Sequence, residues 1–290
     1  MEQIPFFKMS GSGNDFIIID NRNKAVVEKD LSKFIVNVCR RKMSVGADGF
    51  ILLEEADKVD FKWRFFNSDG NTAEMCGNGA RCVARFAYLN GITGHEMSFE
   101  TEAGIISARV TDGRVKIKMP DPSELKLDYT IDLKHAPITV SSINTGVPHV
   151  IIEVENIDAV EVVSLGREIR FHEAFEPAGT NVNFLYPKKN GKVAVRTYER
   201  GVEDETLACG TGAIAGAVVF AHKFNKLSPV KVLTRSGGYL TIYFQEQDGQ
   251  FYNVYLEGDA RVIYKGELWE DAYNVLFTRA NFGKMPISKT

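Results

Sequence analysis

Cysteine and histidine are scarce in this 290-residue chain, with four of the first and five of the second. Cys76 and Cys82 are the only close cysteine pair, and the five residues between them miss the Cys-x2–4-Cys spacing of zinc sites. There is no HExxH segment, so no metal site is expected. Four cysteines in this length also make no disulfide framework. Basic charge is not in excess: 35 Lys and Arg face 38 Asp and Glu, scattered along the chain, for a net charge of −3. That balance excludes an obvious nucleic-acid surface. No apolar run nears the roughly 20 residues of a membrane span; Ala213 to Ala221 is among the longest and stops at His222. The first residues, Met1-Glu2-Gln3-Ile4-Pro5, lack the basic region and apolar run of a signal peptide. These absences predict a cytoplasmic protein with neither nucleic-acid nor membrane partners.

What is present is a repeat. Cys76-Gly77-Asn78-Gly79-Ala80 and Cys209-Gly210-Thr211-Gly212-Ala213 lie 133 positions apart. Gly13 and Gly146, Gly46 and Gly179, Phe65 and Tyr198, Thr101 and Thr234, and Gly104 and Gly237 match at the same offset. So many pairs at one spacing indicate a duplicated domain. We place the N-terminal repeat at 1–122, joined by the C-terminal segment 270–290, and the C-terminal repeat at 123–269, with Pro120-Asp121-Pro122-Ser123 opening the linker. Strands are expected near 15–20, 50–53, 61–66, 97–101, 105–110 and 115–119, and a helix from Asp30. The second copy repeats this grammar, with strands near 150–154, 183–186, 193–198, 230–234, 239–244 and 252–256. In each copy a helix follows the cysteine segment, to about Leu89 and from about Gly212 to Phe224. The second helix is apolar nearly all round and so belongs in a core. The fold class is therefore α+β: two pseudo-symmetric domains, each a curled, mostly antiparallel sheet around a central helix, with the active site in the cleft between them.

A Cys-Gly-x-Gly turn opening a helix combines tight backbone geometry with unpaired N–H groups that carry partial positive charge. The same field favours a thiolate and is expected to lower the cysteine pKa. Two such helices facing one cavity would hold a carboxylate between two thiols. One thiolate would remove a proton α to that carboxylate and the opposite thiol would return one to the other face. On its own, either cysteine reads first as a buried structural residue on a glycine turn; the duplicated placement turns the balance toward chemistry.

The octads Met75 to Cys82 and Thr206 to Ala213 closely resemble the two signatures of the diaminopimelate epimerase family. Lys8 to Phe16, Phe66-Asn67-Ser68-Asp69-Gly70 and Tyr198-Glu199-Arg200-Gly201 resemble it as well, so the likeness runs from about residue 6 to 265. The resemblance implies an isomerase, without cofactor, that interconverts LL- and meso-diaminopimelate in lysine and peptidoglycan precursor synthesis, with a homodimer as the family expectation. It makes Cys76 and Cys209 the acid–base pair and assigns the reacting carboxylate to backbone N–H groups of Gly77, Asn78, Gly210 and Thr211. It gives Arg200 the distal carboxylate, Glu199 the distal ammonium, and Asn14, Asn67 and Asn181 neutral hydrogen bonds. His149 resembles a histidine beside one family thiol.

Other readings stay open on sequence alone. Adjacent Glu199 and Arg200 also read as a surface ion pair, Asn14 and Asn67 as turn formers, and His149 as a core histidine. Some family members carry Asn where Val147 stands and Gln where Gly49 stands, which leaves room for a related racemase with another substrate, such as histidine. A thiol redox switch is the reading from a different class. Cys82 and Cys39 are expected to be structural.

Overall fold

The computed structural model describes residues 3–26 and 29–274. The elements run β1 (Ile4–Gly11), β2 (Asn14–Asp20), α1 (Leu31–Cys39), β3 (Gly49–Glu54), β4 (Phe61–Asn67), α2 (Gly77–Leu89), β5 (Glu96–Thr101), β6 (Gly104–Thr111) and β7 (Arg114–Lys118). After the Pro120–Pro122 linker comes β8 (Ser123–Asp132), then β9 (Pro137–Asn144), β10 (Pro148–Glu153), α3 (Val162–Arg170), β11 (Asn181–Pro187) and β12 (Val193–Glu199). The chain continues through β13 (Asp204–Thr206), α4 (Gly210–Phe224), β14 (Val230–Leu233), β15 (Tyr239–Gln247), β16 (Gln250–Asp259), β17 (Arg261–Leu268) and α5 (Glu270–Tyr273).

The duplication predicted from the sequence is present in the strand ladders. One run pairs β17-β1-β2-β3-β4-β5-β6-β7, and the other pairs β8-β9-β10-β11-β12-β14-β15-β16 in the same sense. Most ladders are antiparallel; β2–β3, β4–β5, β10–β11 and β12–β14 are parallel. Gly13 and Gly146 turn through matching left-handed φ angles of 104° and 100°. The two runs join where β7 pairs with its own counterpart β16, Ile117 standing opposite Leu256. A pseudo-twofold axis therefore passes between these two strands.

Two features depart from the sequence reading. Strand β17 lies within 123–269 yet pairs with β1, so the chain returns to the N-terminal half at about residue 261, before 270. Residues 270–273 of the joining segment lie on α1, where Asn37 Nδ2 donates to the Tyr273 carbonyl; 275–290 lie outside the described residues. The offset also slips from 133 to 132 across β3–β4 and β11–β12. Phe16 pairs with Gly49 but His149 with Asn181, and Phe50 pairs with Phe66 but Val182 with Tyr198. A one-residue slip reverses every side chain. Phe65 therefore faces the inner core while Tyr198 faces the outer one, and the two are not equivalents.

Each half has an inner and an outer layer. Helix α1 packs outside with Leu31, Ile35 and Val38 against Ile17, Ile19 and Phe50, and α3 does the same with Val162 and Ile169 against Val150, Val182 and Phe184. Helices α2 and α4 fill the inside of the curled sheets, in one continuous core that spans both halves. Every residue of α4 from Gly212 to Ala221 is buried, as its all-round apolar sequence predicts. The helix stops at Asn225, whose left-handed φ of 49° closes its C-terminus. This packing fixes where the N-termini of α2 and α4 point.

Candidate active site

Cys76 is the N-cap of α2 and Cys209 the N-cap of α4. Each sulfur accepts the third N–H of its helix, Gly79 N at 3.5 Å and Gly212 N at 3.4 Å. The fourth N–H groups, on Ala80 and Ala213, go to the cap carbonyls. The N–H groups of Gly77, Asn78, Gly210 and Thr211 are thus left without a partner in the helix ladder. The positions of these two starts are set by the axis strands. A Cβ on Gly77 would meet Ile117 Cδ1 at 3.9 Å, and one on Gly210 would meet Leu256 Cδ1 at 3.2 Å. Since Ile117 and Leu256 are direct partners in the β7–β16 ladder, both thiol-capped helix starts flank one point on the pseudo-twofold axis.

The surroundings of the two caps differ. Around Cys76, Asn78 Nδ2 donates to Asn14 Oδ1 at 2.7 Å and reaches the Ala208 carbonyl, next to Cys209, at 3.5 Å. Asn14 is held in turn by Asp48. Arg81, one turn into α2, is fully buried and donates to Asn78 Oδ1, Ser12 Oγ and the Gly77 and Asp259 carbonyls. Around Cys209, the Thr211 hydroxyl lies 3.4 Å from the sulfur and Thr145 Oγ1 donates to the Thr211 carbonyl. Behind it, His149 Nδ1 lies 3.0 Å from Asn183 Nδ2, and Thr197 Oγ1 donates to Asn183 Oδ1 at 2.9 Å.

Glu199 ends β12 and Arg200 begins the following turn, so the two escape the opposite-face rule of a strand. They do not pair with each other. Arg200 Nη1 donates to the Ala178 carbonyl, and among the described residues no carboxylate pairs with it. Asn181 braces that turn, accepting from Arg200 N with Oδ1 and donating to the Pro148 carbonyl with Nδ2. Much of its hydrogen-bonding capacity is therefore spent within the protein. Asn67 ends β4 with an exposed side chain that makes no hydrogen bond to the other site residues.

The electrostatics differ from the sequence expectation. Burial pushes the Cys209 thiol up to about 12, Glu199 adds to the rise, and the Thr211 hydroxyl and the N–H groups of Gly212 and Thr211 oppose it. Cys76 is also raised by burial, with opposition from the N–H groups of Gly79 and Asn78 and from Arg81. Desolvation of a thiolate thus outweighs the helix field, and both thiols are held neutral at pH 7. The Glu199 carboxylate acts on both sulfurs, and burial raises its own pKa. Burial and then the Arg200 charge hold His149 down at about 3.

The sequence reading missed Arg81, Asn183 and Thr197. Arg81 was inside the first octad, and a cation one turn beyond a capping thiol is a usable signal. Nothing local marks Asn183 or Thr197, because only the shifted register turns both toward α4. Among the described residues no group of His, Cys, Asp and Glu is placed to hold a metal ion, and no helix is long and apolar enough to cross a membrane.

Solved structures share this fold at low identity. A PhzF-family phenazine biosynthesis protein from Bacillus anthracis superposes with TM-score 0.70 at 16% identity, covering 93% of this chain and 100% of its own. A hydroxyproline epimerase from Agrobacterium vitis superposes with TM-score 0.67 at 16% identity, covering 95% and 94%. With a thiol-capped helix from each repeat at one axis, the chain is an isomerase of the epimerase class. It belongs, more narrowly, to the diaminopimelate epimerase family, whose model matches residues 6–124 and 141–263. The diaminopimelate epimerase of Aquifex aeolicus is 48% identical over 92% of this chain and 98% of its own length. That of Hydrogenobaculum is 44% identical over 90% and 97%.

Proposed function

We propose that the chain interconverts LL- and meso-diaminopimelate by proton transfer between Cys76 and Cys209. The observation that carries this reading is the seating of both helix starts on the paired residues Ile117 and Leu256, which sets the two caps about one axis. The reacting carboxylate takes the N–H groups of Gly77, Asn78, Gly210 and Thr211, where helix dipoles favour an anion. One thiolate takes the α-proton, becoming a thiol. The electron pair left on carbon spreads into the carboxylate, whose growing charge the same N–H groups stabilise. The opposite thiol then gives its proton to the other face and becomes the thiolate. Atoms and charge balance with no other reactant.

Arg200 takes the distal carboxylate in this reading and Glu199 a substrate ammonium. That ammonium has a second effect. Neutralising Glu199 removes a charge that raises both thiols, so binding eases formation of the thiolate. Asn14 acts through Asn78, and Asn67 supplies a contact at the mouth. The setting is cytoplasmic, where four free thiols stay reduced.

The test is α-hydrogen exchange in D2O, followed by NMR. Wild type should exchange the α-hydrogen of LL-diaminopimelate, and Cys76→Ala and Cys209→Ala should each lose epimerisation. Exchange with histidine and none with diaminopimelate would overturn the substrate assignment. That outcome is the related racemase that Val147 and Gly49 left open.

A further inference from the structure

The beds beneath the two helices are not alike. Under α2, a Cβ on Gly79 would meet Trp63, Ile51 and Phe16, all apolar. Under α4, a Cβ on Gly212 would meet Asn183 and Thr197, and His149 occupies the place of Phe16. Asn183 is fully buried and its amide is committed at both ends. Nδ2 donates to the Val150 carbonyl at 3.0 Å and faces His149 Nδ1 at 3.0 Å, while Oδ1 takes the Thr197 hydroxyl. The amide cannot be turned round, since Oδ1 would then face the Val150 carbonyl oxygen. His149 Nδ1 must therefore accept, which puts the ring proton on Nε2. That nitrogen is buried and has no hydrogen-bond partner in the protein. Native proteins rarely leave a buried donor so.

We propose that Asn183 is a positioning residue of the epimerase reaction. With Thr197, it locks His149 as a neutral Nε2–H donor whose acceptor arrives with the substrate, and so removes the imidazole as a rival base to the thiols. The proposal rests on the epimerase reading for the identity of that acceptor. Arg200, the charged group that acts on His149, makes an anionic acceptor the fitting one, a carboxylate of the amino acid. Burial keeps the ring from becoming a cation in the working pH range. The polar bed is thus a device for holding one proton in one place.

The experiment is 15N–1H correlation NMR of the histidine rings in the whole protein, with His149→Phe assigning the resonance. Wild type should show the Nε2–H form, unchanged between about pH 5 and 9 where a free imidazole titrates. Adding diaminopimelate should shift Nε2–H downfield. In Asn183→Leu nothing donates to Nδ1, so the lock is lost and an Nδ1–H form should appear beside Nε2–H. There kcat should fall about 10-fold or more, as for loss of a contact made in the transition state, while KM changes less than about 3-fold. Thr197→Val frees one end of the amide, so kcat should fall in the same direction as in the Asn183 variant and by less, with KM again changed less than about 3-fold. An Nδ1–H form in wild type, a ring that titrates near pH 6.5, or a released tautomer in Asn183→Leu with unchanged kcat would overturn the proposal. The tautomer is read without substrate, so failure of the epimerase reading, seen as no diaminopimelate exchange by wild type, is separately visible.

Discussion

Gly212→Ala tests the site's packing most directly. The added Cβ would fall well inside contact with Asn183 Oδ1 and 3.1 Å from Thr197 Oγ1. Helix α4 cannot move away, because every residue from Gly212 to Ala221 is buried. Asn183 must give, and with it the bonds to Thr197, His149 and Val150. Overpacking of this kind costs about 1–3 kcal/mol. Alanine in place of glycine returns at most about 1 kcal/mol of helix propensity. The net expectation is a loss of about 1–2 kcal/mol, measured by urea denaturation. Activity should suffer more than stability, because Gly212 N is the hydrogen bond that holds the Cys209 sulfur. A displacement near 1 Å at a reacting group costs about 100-fold in rate. Gly77→Ala is the internal control: its Cβ meets only Ile117 at an ordinary 3.9 Å, so stability should hold or rise slightly. Wild-type stability and rate in Gly212→Ala, or a worse outcome for Gly77→Ala, would refute this account of the bed.

Two further expectations concern the thiols. Iodoacetamide should alkylate Cys76 before Cys209, slowly at pH 7, with the Cys209 rate still rising beyond pH 10, since burial and Glu199 hold that thiol near 12; Arg81→Met should slow Cys76 and leave Cys209 unchanged. Cys39 and Cys209 both have folded-state pKa values raised to about 12. Below the unfolded thiol value of about 8.5 this stabilisation is fully present, and it is lost as pH rises toward 12, because only the unfolded chain then sheds the protons. Thermal scans from pH 8 to 11 should show a falling midpoint, and the fall should lessen in Cys39→Ala.

The cysteine octads were legible because they act locally: a thiol before Gly-x-Gly caps a helix wherever that helix goes. The repeat was legible because glycines with left-handed φ, such as Gly13 and Gly146, tolerate little else. The slip between β3–β4 and β11–β12 was not, since one residue fewer in a loop leaves no mark on composition yet reverses a face. That is why Phe65 and Tyr198 looked equivalent and why Asn183 went unnoticed. The thiol pKa shifts also needed the fold. A helix start argues for a lowered value, and only the three-dimensional burial around Cys209 shows which effect wins. Arg81 is the intermediate case, visible in the octad but meaningful only once its guanidinium is seen facing Asn78 and Ser12.

Strand β8 follows β7, the last strand of one run, and β17 follows β16, the last of the other; each pairs with the first strand of the opposite run, β8 with β9 and β17 with β1. The repeats are therefore clasped like an exchanged dimer whose subunits have been tied into one chain. A cut at the Pro120–Pro122 linker leaves β8 with β9 but strips β17 from β1, so only the N-terminal half is left with an open edge. Closure of the N-terminal half waits for residue 261 and beyond, late in the chain. The N-terminal sheet is thus completed only by a strand from the far end of the described chain, so unfolding the C-terminal half exposes the β1 edge.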